Sequence, residues 1–253
     1  MAFFQFHFFS ESLGMQSEAY VIIPQKQTSG QMGIGSKSSD EKYKCLYLLH
    51  GLSDDHTIWM RRTSIERYAT KYCICVVMPC AHRSFYTNIK NGMKYYDFIS
   101  HELPRLICEF FNVSDKREDN FVAGLSMGGY GALKIALRES DRFCAAAGLS
   151  SATDIHNEMW RDTILPSLFG NGAPVPDDED LFALADTHAN DPCRPRLFMA
   201  VGTEDSLYPE NLRLRDKLNS LAYDLTYIEA PGTHNWDFWD EHIQNVLEWM
   251  FNN

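Results

Sequence analysis

The chain has 253 residues, 45% hydrophobic and 23% charged, with a net charge of −11 and a pI near 5.2. Its length suits one large α/β domain, which buries roughly 70 to 75% of the surface of its unfolded chain and needs no disulfide or metal staple. The negative field excludes nucleic acid and an anionic membrane as natural partners because it repels phosphate, and it leaves small neutral substrates open.

At the N-terminus, Met1 to Gln16 carries no Lys or Arg, and its apolar residues are interrupted by Gln5, His7 and Ser10, so it reads as neither signal peptide nor membrane span. Phe3 to Ser10 and Ser17 to Pro24 alternate polar and apolar residues as an antiparallel edge hairpin does. Gln25 to Lys42 is rich in Ser, Gly and Gln without an apolar period and is expected as a long surface loop. Its Gly33-Ile34-Gly35 lacks the preceding strand and following helix that a phosphate loop needs. Lys44 to His50 and Tyr72 to Pro79 are near-continuous apolar runs, as in parallel strands buried on both faces, and Thr57 to Thr70 between them is helical in composition. Tyr95 to Phe111 has helical spacing that Pro104 should kink or restart.

Phe121 to Leu125 leads through Gly124-Leu125-Ser126-Met127-Gly128 into a helix of small residues, the strand, sharp turn and helix of a G-x-S-x-G nucleophile turn. That turn exposes Ser126 at the sheet edge and aims the Met127 N–H at an oxyanion. A sixth strand, Phe143 to Leu149, is followed at about 150–195 by a stretch that breaks the alternation with Met159-Trp160, Leu165-Pro166 and the acidic run Asp177 to Asp180. We read it as a lid-like insertion governing substrate choice. Arg196 to Val201 and Leu225 to Glu229 complete the strands, a helix from about Pro209 to Leu221 lies between them, and a terminal helix closes the chain near Phe251. Repeated strand–helix alternation gives a doubly wound, mostly parallel sheet over a single domain, 1–253.

Ligands of parallel α/β sheets sit at the carboxyl ends of the strands, where Ser126, Asp205 and His234 fall in the order nucleophile, acid, base of the α/β-hydrolase arrangement. The serine hydroxyl needs a base, the imidazole an acid to fix its tautomer, and the anion preorganised donors. Glu204 and Asp154 are rival acids. His82 falls too early in the chain to be the base, and His50 is placed to hold the oxyanion loop. Trp160 and Trp236 are large apolar residues at the strand ends and are candidates for the pocket wall. Cys45, Cys73, Cys75, Cys80, Cys108, Cys144 and Cys193 are scattered and mostly in apolar runs, as reduced residues of a cytoplasmic protein. Cys73-Ile74-Cys75 has no matching pair at ligand spacing, so neither metal nor cofactor is expected.

Across nearly its whole length the chain resembles the esterase family that includes esterase D (S-formylglutathione hydrolase), tributyrin esterases and feruloyl esterases. The resemblance rests on Leu48-Leu49-His50-Gly51-Leu52, His82-Arg83-Ser84-Phe85-Tyr86, Glu102-Leu103-Pro104, Gly124 to Gly129, Gly202-Thr203-Glu204-Asp205 and His234-Asn235-Trp236. It implies Ser126 as nucleophile, His234 as base, Asp205 as acid and the Leu52 and Met127 N–H groups as oxyanion hole, with no cofactor. The S-formylglutathione hydrolase branch usually reads Ser-Gly-Leu-Thr-Cys where this chain has His50-Gly51-Leu52-Ser53-Asp54. That departure favours hydrolysis of short-chain or small aromatic acyl esters over the glutathione thioester. A non-catalytic binding protein on the same fold and an acyl transferase to a sugar are the other readings. Whether the chain forms a homo-oligomer is open.

Overall fold

A computed structural model describes residues 1–25 and 41–252. The expected surface loop at 25–42 falls outside them for 26–40. Eight strands form one sheet in the order β1-β2-β4-β3-β5-β6-β7-β8. β1 (Ala2–Ser10) and β2 (Met15–Ile23) are the edge hairpin, antiparallel to each other, and β2 is antiparallel to β4 (Cys75–Pro79). The remaining ladder is parallel: β3 (Cys45–Leu49), β5 (Asn120–Leu125), β6 (Ala145–Leu149), β7 (Arg196–Gly202) and β8 (Leu225–Ala230). β3 to β6 are buried on both faces, which is why they read as unbroken apolar runs.

Because successive strand residues point to opposite faces, each strand supplies two cores. On one side Leu46 and Leu48 pack with α1 (Ile58–Arg62), α2 (Ile65–Tyr72) and α10 (Trp236–Phe251). On the other, Cys45, Tyr47 and Leu49 join a cluster that includes residues of α4 (Leu103–Phe110), α5 (Met127–Arg138), α8 (Leu181–Thr187) and α9 (Tyr208–Ser220).

The helix expected over Thr57 to Thr70 is two helices. Thr63 is extended between them, its hydroxyl donating to the Trp59 carbonyl (2.6 Å) and accepting from the Ile65 N–H (3.1 Å). A β-branched hydroxyl thus ends one helix and opens the next. The Pro104 interruption takes the form of a π-helical turn, Phe98–Glu102, between the short helix α3 (Tyr95–Asp97) and α4, in which Pro104 occupies the first turn.

The stretch after β6 has two parts. The first holds the short helices α6 (Glu158–Arg161) and α7 (Leu165–Phe169) and the 3₁₀ turn Asp177–Glu179. The second is α8, which packs on α5 as a face helix of the sheet. Between them Glu179 receives the Lys134 ammonium of α5, a group with no exposed surface that also donates to the Phe85 carbonyl and Thr87 Oγ1. The Thr87 hydroxyl donates to the same carboxylate (2.6 Å), and the Tyr130 hydroxyl donates to the Glu179 backbone carbonyl (2.6 Å). Burial lowers the Lys134 pKa, and the Glu179 charge pushes it back. This buried network fastens the segment to the helix that carries the serine turn. No helix among the described residues is long and apolar enough to cross a membrane.

Candidate active site

Ser126 lies between β5 and α5 at φ 53, ψ −119, in a region that L-residues rarely occupy. Its backbone is pinned: the Ser126 N–H donates to Leu149 O (2.8 Å), and its carbonyl accepts from the Tyr130 and Ala152 N–H groups. The glycines on either side are steric requirements. A Cβ on Gly124 would strike the Gly128 carbonyl, and one on Gly128 would stand 2.5 Å from the Leu49 oxygen. The strand, the helix and the neighbouring β3 therefore close on one another only with glycine at both positions, and the turn throws the serine hydroxyl out at the sheet edge.

His234 comes from the loop between β8 and α10. Its Nε2 is 3.0 Å from Ser126 Oγ, and its Nδ1 is 2.9 and 3.1 Å from the Asp205 oxygens. The Asp205 side chain has no exposed surface. Burial alone would raise its pKa, but the hydrogen bond from His234, the Leu207 N–H (2.9 Å to Oδ1) and the His234 charge outweigh it and hold the carboxyl below its usual range. An ionised Asp205 only accepts, so the proton sits on His234 Nδ1 and the Nε2 lone pair faces the serine hydroxyl.

The structure separates the rival residues. Asp154 pairs with Arg213 (2.7 Å) and accepts from the His156 N–H. Glu204 accepts from the Gly232 N–H (2.6 Å) while its own N–H donates to Gly232 O, tying the acid's loop to the base's loop. Neither reaches the imidazole. His82 lies beside Cys80 and Tyr95, and it is His234 whose Nε2 meets the serine hydroxyl.

His50 is fully engaged in the loop that passes the serine. Its Nδ1 donates to Gly51 O (2.7 Å), its Nε2 accepts from the Ala81 N–H (2.9 Å), and its carbonyl accepts from Tyr86 Oη (2.9 Å). A Cβ on Gly51 would stand 3.8 Å from the Ser126 Cβ, so this loop runs directly alongside the serine. Among the described residues the Leu52 N–H has no backbone acceptor. Met127, the first residue of α5, has no intrahelical one. These are the two donors expected to face an oxyanion.

Burial lowers the His50 pKa to about 4, so it stays neutral through the physiological range. The unfolded chain protonates this residue near pH 6.5, whereas the folded one does so only near 4, so stability falls as pH drops across that interval. The contribution is about 3 kcal/mol. His50→Gln should therefore flatten the decline in urea midpoint between about pH 6.5 and 4. An unchanged slope would assign the decline to other groups.

Residues 10–250 match the family model described as Putative esterase. The chain belongs to this family. Over 264 aligned residues the esterase is 31% identical to an acetyl esterase of Caldicellulosiruptor saccharolyticus, covering 99% of this chain and 98% of that protein. Its fold matches the fluorophosphonate-binding serine hydrolase F of Staphylococcus aureus with a TM-score of 0.90 and 36% identity, over 100% and 99% of the two chains. An S-formylglutathione hydrolase of the same organism matches at TM-score 0.87 and 36% identity, over 99% of both chains. The protein is a carboxylic ester hydrolase of the serine type with the α/β-hydrolase architecture.

The two tryptophans singled out in the sequence stand on different faces of the sheet. Trp160 is buried with its ring edge-on to Phe85 (5.1 Å), and its indole N–H has no partner among the described residues. Trp236 packs edge-on to Trp59 and Trp239, each at 5.2 Å, and it is Trp239 that meets the His234 ring, at 4.9 Å. Trp239 escaped the sequence reading. The signal for it was present: Asn235 caps α10 by accepting from the Phe238 N–H, which fixes the helix start and puts 236 and 239 on one face.

Proposed function

We propose that the esterase hydrolyses small esters of short acyl groups, acetyl first among them, through an acyl-enzyme on Ser126. His234 is the general base and then acid, Asp205 holds the imidazole, and the Leu52 and Met127 N–H groups receive the oxyanion. The observation that carries this reading is the unbroken relay from Ser126 Oγ to His234 Nε2 (3.0 Å) and from His234 Nδ1 to Asp205 (2.9 Å), hung on a strained serine. Ser126 Oγ bonds to the ester carbonyl carbon as its proton passes to Nε2. Collapse of the tetrahedral anion breaks the C–O bond, and the departing alkoxide takes that proton. Water then repeats the sequence on the acyl-enzyme and releases the acid. The acetyl esterase relative supports the short acyl group. Cys45 and Cys75 are buried in the sheet as reduced residues, which supports a cytoplasmic setting.

Release of chromophore from p-nitrophenyl acetate, with and without a fluorophosphonate, tests the reading. The expected result is turnover abolished in step with one probe covalently bound per chain, on the peptide containing Ser126. Turnover untouched by the probe overturns it. Hydrolysis of S-formylglutathione is a second reading, favoured by the 36% identical relative of that name. Against it stands Asp54 in the first loop, a half-buried carboxyl pushed up by burial and by Asp55. A larger kcat/KM on S-formylglutathione than on the acetyl ester would transfer the assignment to the thioester.

In this reading the segment after β6 walls the acyl pocket through Trp160, whereas Trp236 serves by holding Trp239 against the base. Trp160→Ala should then reorder kcat/KM between acetyl and feruloyl esters by about 1 to 3 kcal/mol. A uniform loss on acetyl, butyryl and feruloyl esters, together with a lower melting temperature, would make it a packing residue only.

A further inference from the structure

The esterase carries a second cluster of reactive side chains that ester hydrolysis does not use. Glu18 on β2, His56 in the loop after β3 and Cys80 just beyond β4 bring a carboxylate oxygen, an imidazole nitrogen and a sulfur within 4.8 Å of one another. The strand register puts them there: Ala19 pairs with Pro79, and the Cys80 N–H donates to Glu18 O (3.2 Å). His82 joins them with its ring nitrogens 3.7 and 3.8 Å from Cys80 Sγ, carried on a left-handed backbone at φ 46. Glu18, Cys80 and His82 line a cavity of about 270 Å³.

Two observations mark the cluster as a place for a ligand. His56 is only 7% exposed, yet among the described residues its Nδ1 makes no hydrogen bond; Glu18 Oε1 stands 3.4 Å from it as an ion-pair contact. A buried ring nitrogen without a partner is costly, and the Tyr20 ring edge at 4.7 Å limits how far this imidazole turns away. The spacing is the second observation. Tetrahedral zinc with bonds of about 2.0 to 2.3 Å holds neighbouring ligand atoms about 3.3 to 3.8 Å apart. The His56–Glu18 contact at 3.4 Å falls in that interval, and the Glu18, His56 and Cys80 ligand atoms all lie within 4.8 Å of one another; His82 meets the cluster only through Cys80 Sγ, at 3.7 Å, and completes the set by a turn of its exposed side chain.

We propose that Glu18, His56, Cys80 and His82 bind a thiophilic divalent cation of the Zn²⁺ class, at a site separate from Ser126. Burial keeps the Cys80 thiol protonated, so on binding the metal takes the sulfur lone pair and the thiol proton leaves to solvent. The thiolate and the Glu18 carboxylate then cancel both charges of the ion, with the two imidazoles neutral. His7, 3.6 Å from the other Glu18 oxygen, orients that carboxylate from outside. The ion joins β2, β4 and the loop after β3, segments that come together only in the folded chain, so it stabilises the native state by binding it alone.

Zinc titration of the purified enzyme against a chromogenic chelator, with melting curves, tests the site. The expected result is one zinc per chain and a raised Tm that EDTA reverses. Cys80→Ser should weaken binding by more than about 100-fold and abolish the shift in Tm. His82→Ala, at an exposed position, should weaken binding by about tenfold or more without altering the metal-free Tm. Ser126→Ala should bind zinc as the parent does. Cobalt in place of zinc should give a thiolate-to-metal charge-transfer band that Cys80→Ser lacks. If Cys80→Ser does not fold, the His82→Ala titration and the cobalt spectrum of the parent decide. No zinc bound, binding undiminished in the variants of the cluster, or binding lost with Ser126→Ala overturns the proposal.

Discussion

Ser126→Ala should fold as the parent does and lose turnover by roughly a millionfold, the scale on which a triad serine and its base act as a unit. The prediction of an intact fold rests on what the substitution removes. Alanine meets the same backbone penalty at φ 53 that serine already bears, and the glycines on either side are untouched. The lost hydroxyl donates only to His234, whose ring is partly exposed and finds water in its place. Stability should therefore move by no more than about 0.5 kcal/mol. The loss of turnover rests on the position of the oxygen, since among the described residues no other serine or threonine hydroxyl hydrogen-bonds to His234. Burst kinetics on p-nitrophenyl acetate and a melting curve check both halves. Retention of more than a few per cent of parental turnover in a folded variant would move the nucleophile elsewhere.

Ser126 was legible in the sequence because its constraint is local. A serine forced between a buried strand and a helix demands glycine two residues before and two after, and the chain supplies Gly124 and Gly128. The chain order of Ser126, Asp205 and His234 was legible for a related reason: parallel strands all end on one edge, so the residue after each strand is already near the others. Contacts between distant segments were not legible. Lys134 occurs in an ordinary helical stretch and Glu179 in the acidic run of the expected lid-like insertion, nothing in either local pattern pairs them, and only the packing of this segment on α5 buries one against the other. Glu18, His56 and Cys80 have no ligand spacing along the chain, because antiparallel pairing of β2 with β4 creates their proximity. The break at Thr63 was missed since composition favours helix on both sides, while a single side-chain hydrogen bond decides the boundary.

Asp205→Asn should lower turnover by about 10⁴, and Asp154→Asn by less than about tenfold. The two carboxylates differ in what they hold. Asp205 is buried, ionised and hydrogen-bonded to His234 Nδ1, so it alone dictates which ring nitrogen keeps the proton. An asparagine there turns an N–H₂ group towards Nδ1 or leaves Nδ1–H without a charged acceptor. In the first case the imidazole carries its proton on Nε2 and has no lone pair for the serine; in the second the imidazolium formed during attack goes unstabilised. Asp154 faces Arg213, an exposed side chain, in an ion pair of the sort that contributes about 0 to 1 kcal/mol, and its removal reaches the imidazole through no hydrogen bond. Linkage gives an independent check on the same residue. The Asp205 pKa is depressed in the fold, so its stabilisation is present above its unfolded value of about 3.9 and is lost as pH falls through the folded one. The stability gap between parent and Asp205→Asn should accordingly narrow on acidification below about pH 4. If Asp154→Asn instead produced the large kinetic loss, the acid would be the residue after β6, and the imidazole would have to rotate away from the carboxylate it meets at 2.9 Å.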